Sequence, residues 1–350
     1  MIHRATVSPG NAFPSDEDNV RDNVSNKTID SMKLIFAVTV VMMHGFLFDI
    51  KDPDYWIGFL VNGFFKTAVP FYFIASGYFF FKTVQKNNVK KWFYHIGKIY
   101  LLWSVMYLYA LKSIFILDDV GLIRKLYLML RAEITGVVHL WFIPALLIAA
   151  LLCYLTRNVL KKNTRAGILA CVVLWIIGTT LNWALISLDS QRLFLCRNGL
   201  FYGAPMFILG FIVARHHDKL VRAKLKFTAI IFACSLILLI ESGLSTHTLQ
   251  GMQNKFITSI DMMFSTPLLA LTIFLLCLKR PNINLLGSNT RVTSTFMYYS
   301  HIIFLDFTFL ILQSAWSNSI LQSGILSSLI SMAVIIVLSF VFKNKVEKLI

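Results

Sequence analysis

Residues 31–50 read SMKLIFAVTVVMMHGFLFDI. The stretch is apolar enough to cross a bilayer, yet it carries Lys33 near its start and His44 eleven positions later. A spanning helix needs about 20 mainly apolar residues. An ionisable group inside one is costly unless it reaches an interface, finds a partner or does chemistry. How this lysine and this histidine are accommodated separates a plain membrane span from a working site.

The rest of the chain is of the same kind. Of its 350 residues, 57% are hydrophobic and 14% charged, with a mean hydropathy of +0.69. Soluble domains carry about 25% charged residues, so the composition predicts an all-α, polytopic integral membrane protein. Ten stretches fit spanning helices: 31–50, 64–82, 95–117, 138–155, 166–188, 198–214, 225–241, 261–278, 293–316 and 323–342. Pro70 interrupts the second of them. Residues 1–30 are polar and read as a disordered tail, 31–342 as one transmembrane domain, and 343–350 as a short second tail. Asn23 and Asn26 match the glycosylation pattern by chance on a tail placed in the cytoplasm. The five cysteines are scattered through apolar runs and suggest neither a disulfide framework nor a metal site.

Basic residues orient the bundle. With the N-terminal tail inside, the inner connections hold 21 Lys and Arg and the outer ones 7. The alternation follows the positive-inside rule and predicts both termini in the cytoplasm. It also accounts for most of the net charge of +16, so a nucleic-acid partner is not needed to explain the basic balance. Membrane lipid is the expected surrounding.

In that orientation Lys33 sits at the cytoplasmic edge of the first helix and His44 in the outer half of the membrane. Eleven steps of 100° end about 20° past three full turns, so both side chains share one helix face, about 16 Å apart along the axis. Lys33 alone is also explained by its ammonium reaching the inner headgroups. His44 is too deep for that. It either bonds a neighbouring helix as a neutral ring or serves as a general base for a hydroxyl.

Four motifs then resemble one family in order. They are Lys33, ten residues and His44; Val69-Pro70-Phe71-Tyr72-Phe73-Ile74-Ala75-Ser76-Gly77-Tyr78; His139-Leu140-Trp141-Phe142; and Tyr298-Tyr299-Ser300-His301. Together they are similar to the acyltransferase-3 family of membrane O-acyltransferases, over residues 28 to about 342. Two departures stand out. Lys33 replaces the commoner Arg and lacks its planar fork. Where many members carry two arginines before the third helix, this chain has His95 and Lys98.

The resemblance implies acyl transfer across the membrane. Acyl-coenzyme A, most often acetyl-CoA, is the implied donor substrate, with no permanently bound cofactor. The implied acceptor is a hydroxyl of a surface polysaccharide or lipid-linked glycan such as O-antigen, and the implied location is a bacterial inner membrane. His44 is then the base that takes the acceptor proton. Lys33, Lys98 and His95 steady the donor. Ser76, His139, Trp141, Tyr298, His301 and Asp306 are candidates for the substrate channel, although five helical steps set His301 and Asp306 about 140° apart. Lys66, Lys112, Glu133, Glu241 and Asp261 read as snorkelling or solvated charges, and His216-His217 as a basic loop without further ligands.

Two rivals follow from the same residues. Buried Lys, His and Asp on ten helices also suit a proton-coupled carrier. The chain resembles, too, the membrane part of vancomycin-resistance serine racemases, which implies amino-acid uptake. No internal repeat supports a carrier. A membrane scaffold for polysaccharide assembly has no need of a lysine and a histidine on one helix face. No HExxH, GxSxG or phosphate-binding loop is present.

Overall fold

A computed structural model describes residues 26–46, 60–111, 121–136, 139–188, 192–224, 226–250, 260–315 and 320–350. Among them there is no strand. The helices are α1 (Lys27–Phe46), α2 (Ala68–Gln85), α3 (Val89–Met106), α4 (Leu122–Thr135), α5 (Phe142–Lys162) and α6 (Thr164–Ser187). They continue as α7 (Ala204–Arg215), α8 (His217–Arg222), α9 (Phe227–Gln250), α10 (Thr266–Lys279), α11 (Thr290–Ala315), α12 (Ile320–Val341) and α13 (Lys343–Val346). Among the described residues seven helices are long and apolar enough to cross a membrane. Two further apolar stretches, Gly199–Arg215 and Thr266–Lys279, are shorter. α3 carries Lys90, Lys91 and Lys98 and is not one of the seven. Each expected span overlaps a helix, and among the described residues seven of these helices have the length and composition of a full crossing.

The bundle is layered by burial. In α2 61% of the spanning window is buried inside the protein, against 22% in α9. α2 is therefore central and α9 peripheral, its apolar side chains turned outward as lipid contact requires. Without a hydrophobic drive between helices in lipid, close approach is won by small residues. α2 meets α7 in this way. A Cβ placed on Gly77 would lie 1.9 Å from the Phe207 carbonyl oxygen, and one on Gly210 would lie 2.0 Å from that of Ile74. Pro70 does not break α2. It occupies the first turn, where the missing N–H has no helical acceptor to satisfy.

The first helix begins earlier than its hydropathy suggests. Asn26 accepts the backbone N–H of Ile29 at 3.0 Å, so residues 27–30, expected in the tail, are helical. Residues 1–25 lie outside the described part. Ser31 Oγ donates to the Ile283 carbonyl at 3.0 Å and accepts the Leu285 N–H at 3.1 Å, tying α1 to the segment between α10 and α11. At the other end residues 343–350 are not a loose tail. Val346 is buried, and the Trp103 indole donates to the Leu349 carbonyl at 2.9 Å.

Two differences bear on the site. Residues 118–137 were expected as a connection, yet Leu122–Thr135 form α4, with Leu122, Ile123, Leu126 and Leu130 exposed on a helix that also carries Arg124, Lys125 and Arg131. The expected span 261–278 starts only at Thr266, with Pro267 in the first turn, which leaves Asp261 on a non-helical lead-in.

Candidate active site

His44 occupies the last turn of α1. Two more imidazoles meet it there from distant parts of the chain. The His301 ring on α11 lies 5.1 Å from that of His44, and the His139 ring, just ahead of α5, lies 4.5 Å from His301 and 6.4 Å from His44, all between centroids. Gly136 has φ +92, and a Cβ there would lie 2.1 Å from the Trp141 Cα. The His139 ring is then boxed by Tyr107 at 5.0 Å and Tyr298 at 5.6 Å.

His301 is held in one tautomer. Its Nδ1 donates to the carbonyls of Tyr298 at 2.8 Å and Met297 at 3.0 Å, so Nδ1 carries the proton and a neutral ring has a bare Nε2. That Nε2 has no partner among the described residues, nor has either nitrogen of His139 one of ordinary geometry. His139 and His301, both buried, thus bring imidazole nitrogens of unspent capacity up to His44. Among the described residues no group of three His, Cys, Asp or Glu side chains could hold a metal ion.

The histidines adjoin a cavity of about 130 Å³. His44 and His139 line it, together with Tyr72, Trp141, Phe142 and Tyr298. Its far wall is ionic. Lys66 Nζ lies 3.2 Å from Asp261 Oδ1, and Arg197 Nη1 lies 3.1 Å from Asp261 Oδ2, so the one carboxylate is shared by two cations. Arg197 also lies over the Trp141 ring, 5.1 Å from its centroid.

Local structure places each of these groups. Arg197 precedes, and Tyr202 belongs to, a π turn at Gly199–Gly203, capped by Asn198, whose Oδ1 accepts the Leu200 N–H at 2.9 Å and the Phe201 N–H at 3.0 Å. The lead-in carrying Asp261 is fastened by three helical side chains. Asn182 accepts the Met262 N–H at 3.1 Å, and Trp175 donates to the Met263 carbonyl at 3.2 Å. Glu241 accepts the N–H groups of Phe264 at 2.6 Å and Ser265 at 3.0 Å, and also the Ser265 hydroxyl. Glu241 is therefore the buried anchor of the lead-in to α10 and not a solvated charge.

Of the six channel candidates, His139, Trp141 and Tyr298 line the cavity. His301 stands behind the two lining histidines, fully buried. Ser76 lies elsewhere on α2, and Asp306 accepts the Tyr109 hydroxyl at 2.7 Å. Lys66 and Asp261 correct the expectation of snorkelling or solvated charges, since both belong to the buried ionic wall. Arg197 was not foreseen at all. Lys112 lies outside the described residues, as does the Glu133 side chain. His217 is hydrogen-bonded through Nδ1 to the Tyr78 hydroxyl at 3.0 Å.

The residues expected to hold a donor are set apart from this cavity. The Lys33 ammonium lies 5.1 Å from the centre of the Phe79 ring, with Asp30 and Arg291 in electrostatic range. Tyr72 links the two regions. Its ring lines the cavity and its hydroxyl donates to the Lys33 carbonyl at 2.7 Å. His95 and Lys98 are exposed on α3 and do not line the cavity.

The comparison that decides the identity is the family model described as an acyltransferase domain, which matches residues 26–343. The chain belongs to the acyltransferase-3 family. The match covers nearly the whole chain. The chain is 30% identical over 242 residues to a serine/alanine racemase of Enterococcus gallinarum, covering 63% of this chain and 33% of that protein. It is 28% identical over 219 residues to an amino-acid racemase of Enterococcus faecalis, covering 56% of this chain and 30% of that protein. The chain spans about a third of the length of these curated relatives. No solved structure matches it.

Proposed function

We propose that this acyltransferase is an O-acyltransferase, most simply an O-acetyltransferase. On this reading it moves an acyl group from cytoplasmic acyl-CoA to a hydroxyl of a surface polysaccharide or lipid-linked glycan such as O-antigen. It would work in a bacterial inner membrane with both termini in the cytoplasm, as the basic-residue asymmetry favours. The observation that carries the reading is His44 on the wall of a buried cavity, backed by His301 and flanked by His139.

His44 takes the proton of the acceptor hydroxyl, and the oxygen attacks the thioester carbonyl carbon. The new C–O bond forms as the C–S bond breaks. The coenzyme A thiolate leaves and recovers the proton from the imidazolium. Lys33, at the other end of the shared helix face, and Arg291 of α11, in electrostatic range of it, suit the anionic phosphates of the donor, while the pantetheine arm spans the distance to His44. Lys98 and His95 would assist from α3. Membrane lipid and the glycan complete the partners.

The test is mass spectrometry of surface glycan from cells with and without the gene, beside cells carrying His44→Ala. A mass increment of one acyl group, lost in the variant while the protein still inserts, supports the reading. An unchanged glycan overturns it. A second reading is favoured by the names of the curated relatives, which act on amino acids: a ten-helix amino-acid carrier. Solute counterflow in vesicles without acyl-CoA would establish that reading instead.

A further inference from the structure

Among the described residues the ionic wall of the cavity holds two cations against one carboxylate. Asp261 is the one acidic side chain lining the cavity among the described residues, and it faces two cations. Each of its oxygens already takes one of them. Lys66 is spent on this contact, with a side chain only 4% exposed. Arg197 is not. Its side chain is 33% exposed and commits Nη1 to Asp261, while the guanidinium carries five donors in a planar fork. Such a fork is suited to two parallel hydrogen bonds with a carboxylate or a phosphate.

A surplus charge in a partly buried site is expensive to keep without a function, because water is displaced and no counter-charge replaces it. The surplus also lies on the same cavity as His44, whereas the donor phosphates are assigned to the Lys33 end of the helix face. Trp141, over which Arg197 lies, offers an aromatic plane beside the charge.

We infer that the acceptor bears an oxyanion, a carboxylate or a phosphate, in the same molecule as the hydroxyl presented to His44, and that Arg197 binds this group beside the Lys66–Asp261 pair. Asp261 fixes the guanidinium, Lys66 completes the positive wall, and the anion sets which hydroxyl reaches the imidazole. This deepens the acyltransferase reading and rests on it only in naming the ligand an acceptor.

The experiment is equilibrium binding to the full chain in lipid nanodiscs, with no acyl donor present. The radiolabelled probes are glucuronic acid, glucose 6-phosphate and glucose. At least one anionic probe is expected to bind about tenfold or more tightly than glucose. The carboxylate and phosphate arms tell the two sources apart. Arg197→Gln is expected to erase the preference and Arg197→Lys to keep part of it, with the melting temperature confirming that each variant is folded. Equal binding of the three probes, no binding, a preference that survives Arg197→Gln, or competitive displacement by free coenzyme A would each overturn the inference. Because no donor enters the measurement, failure of acyl transfer in cells and failure of anion binding here are separate results.

Discussion

The imidazole of His301 lies 5.1 Å from that of His44, ring centre to ring centre, and its Nδ1 is tied to the backbone of its own helix. On the proposed reading, in which His44 is the base, His301 positions it. His44→Ala is expected to lower kcat by about 10²- to 10⁴-fold, the usual contribution of a general base. His301→Asn should lower kcat by about 10- to 100-fold through misplacement, with KM for both substrates little changed and the pH profile of kcat displaced. Steady-state kinetics in nanodiscs checks both, and an unmoved pH profile in His301→Asn would remove its positioning role.

The shared carboxylate of Asp261 makes a stability prediction. Lys66→Met takes from Asp261 one of the two cations that hold it and should cost about 3 kcal/mol, the low end for breaking a buried pair. Lys66→Met/Asp261→Asn removes both charges and should recover part of the lost melting temperature. If the double variant melts no higher than the single one, the pair is not the source of the loss.

The α2–α7 crossing is a second structural test. Gly77→Ala drives a methyl into the Phe207 carbonyl and should destabilise by about 1–3 kcal/mol. Gly97→Ala on α3 meets nothing within 4 Å and should be neutral or slightly stabilising. Thermal melts in one detergent compare the two directly.

Glu241 holds the lead-in of α10 from a neighbouring helix. Glu241→Ala strands the Phe264 and Ser265 N–H groups and is expected to cost about 1–3 kcal/mol. Hydrogen exchange should show the loss first at residues 261–266, ahead of the bundle as a whole.

The orientation predicted from basic residues is open to thiol labelling. All five native cysteines are buried, so background reaction is low. A membrane-impermeant maleimide should label Arg124→Cys on intact cells and Lys348→Cys only after permeabilisation. The opposite pattern would invert the bundle.

The spans and His44 were legible because hydropathy and helical phase are local properties. The 100° step put Lys33 and His44 on one face, and it separated His301 from Asp306 correctly. Long-range pairing has no such trace. Lys66 reads as a snorkelling cation because Asp261 is distant in sequence, and Arg197 reads as a loop cation because the π turn beside it has no hydropathy pattern. α4 escaped notice for another reason. Its apolar side chains recur at residues 122, 126 and 130 between basic ones, a one-faced pattern that an average over the window cancels. Glu241 looked solvated because its partners are backbone N–H groups, which sequence does not distinguish.

The π turn at Gly199–Gly203 holds one residue of slack relative to an α-helical path. Excising a single position from it would rewind the turn and swing whatever precedes it by about 100° around the axis. Arg197 would leave the carboxylate it now grips, while α7 stayed seated on α2. In this fold, therefore, a length polymorphism of one codon beside Asn198 is a route to a changed ligand preference without a changed scaffold.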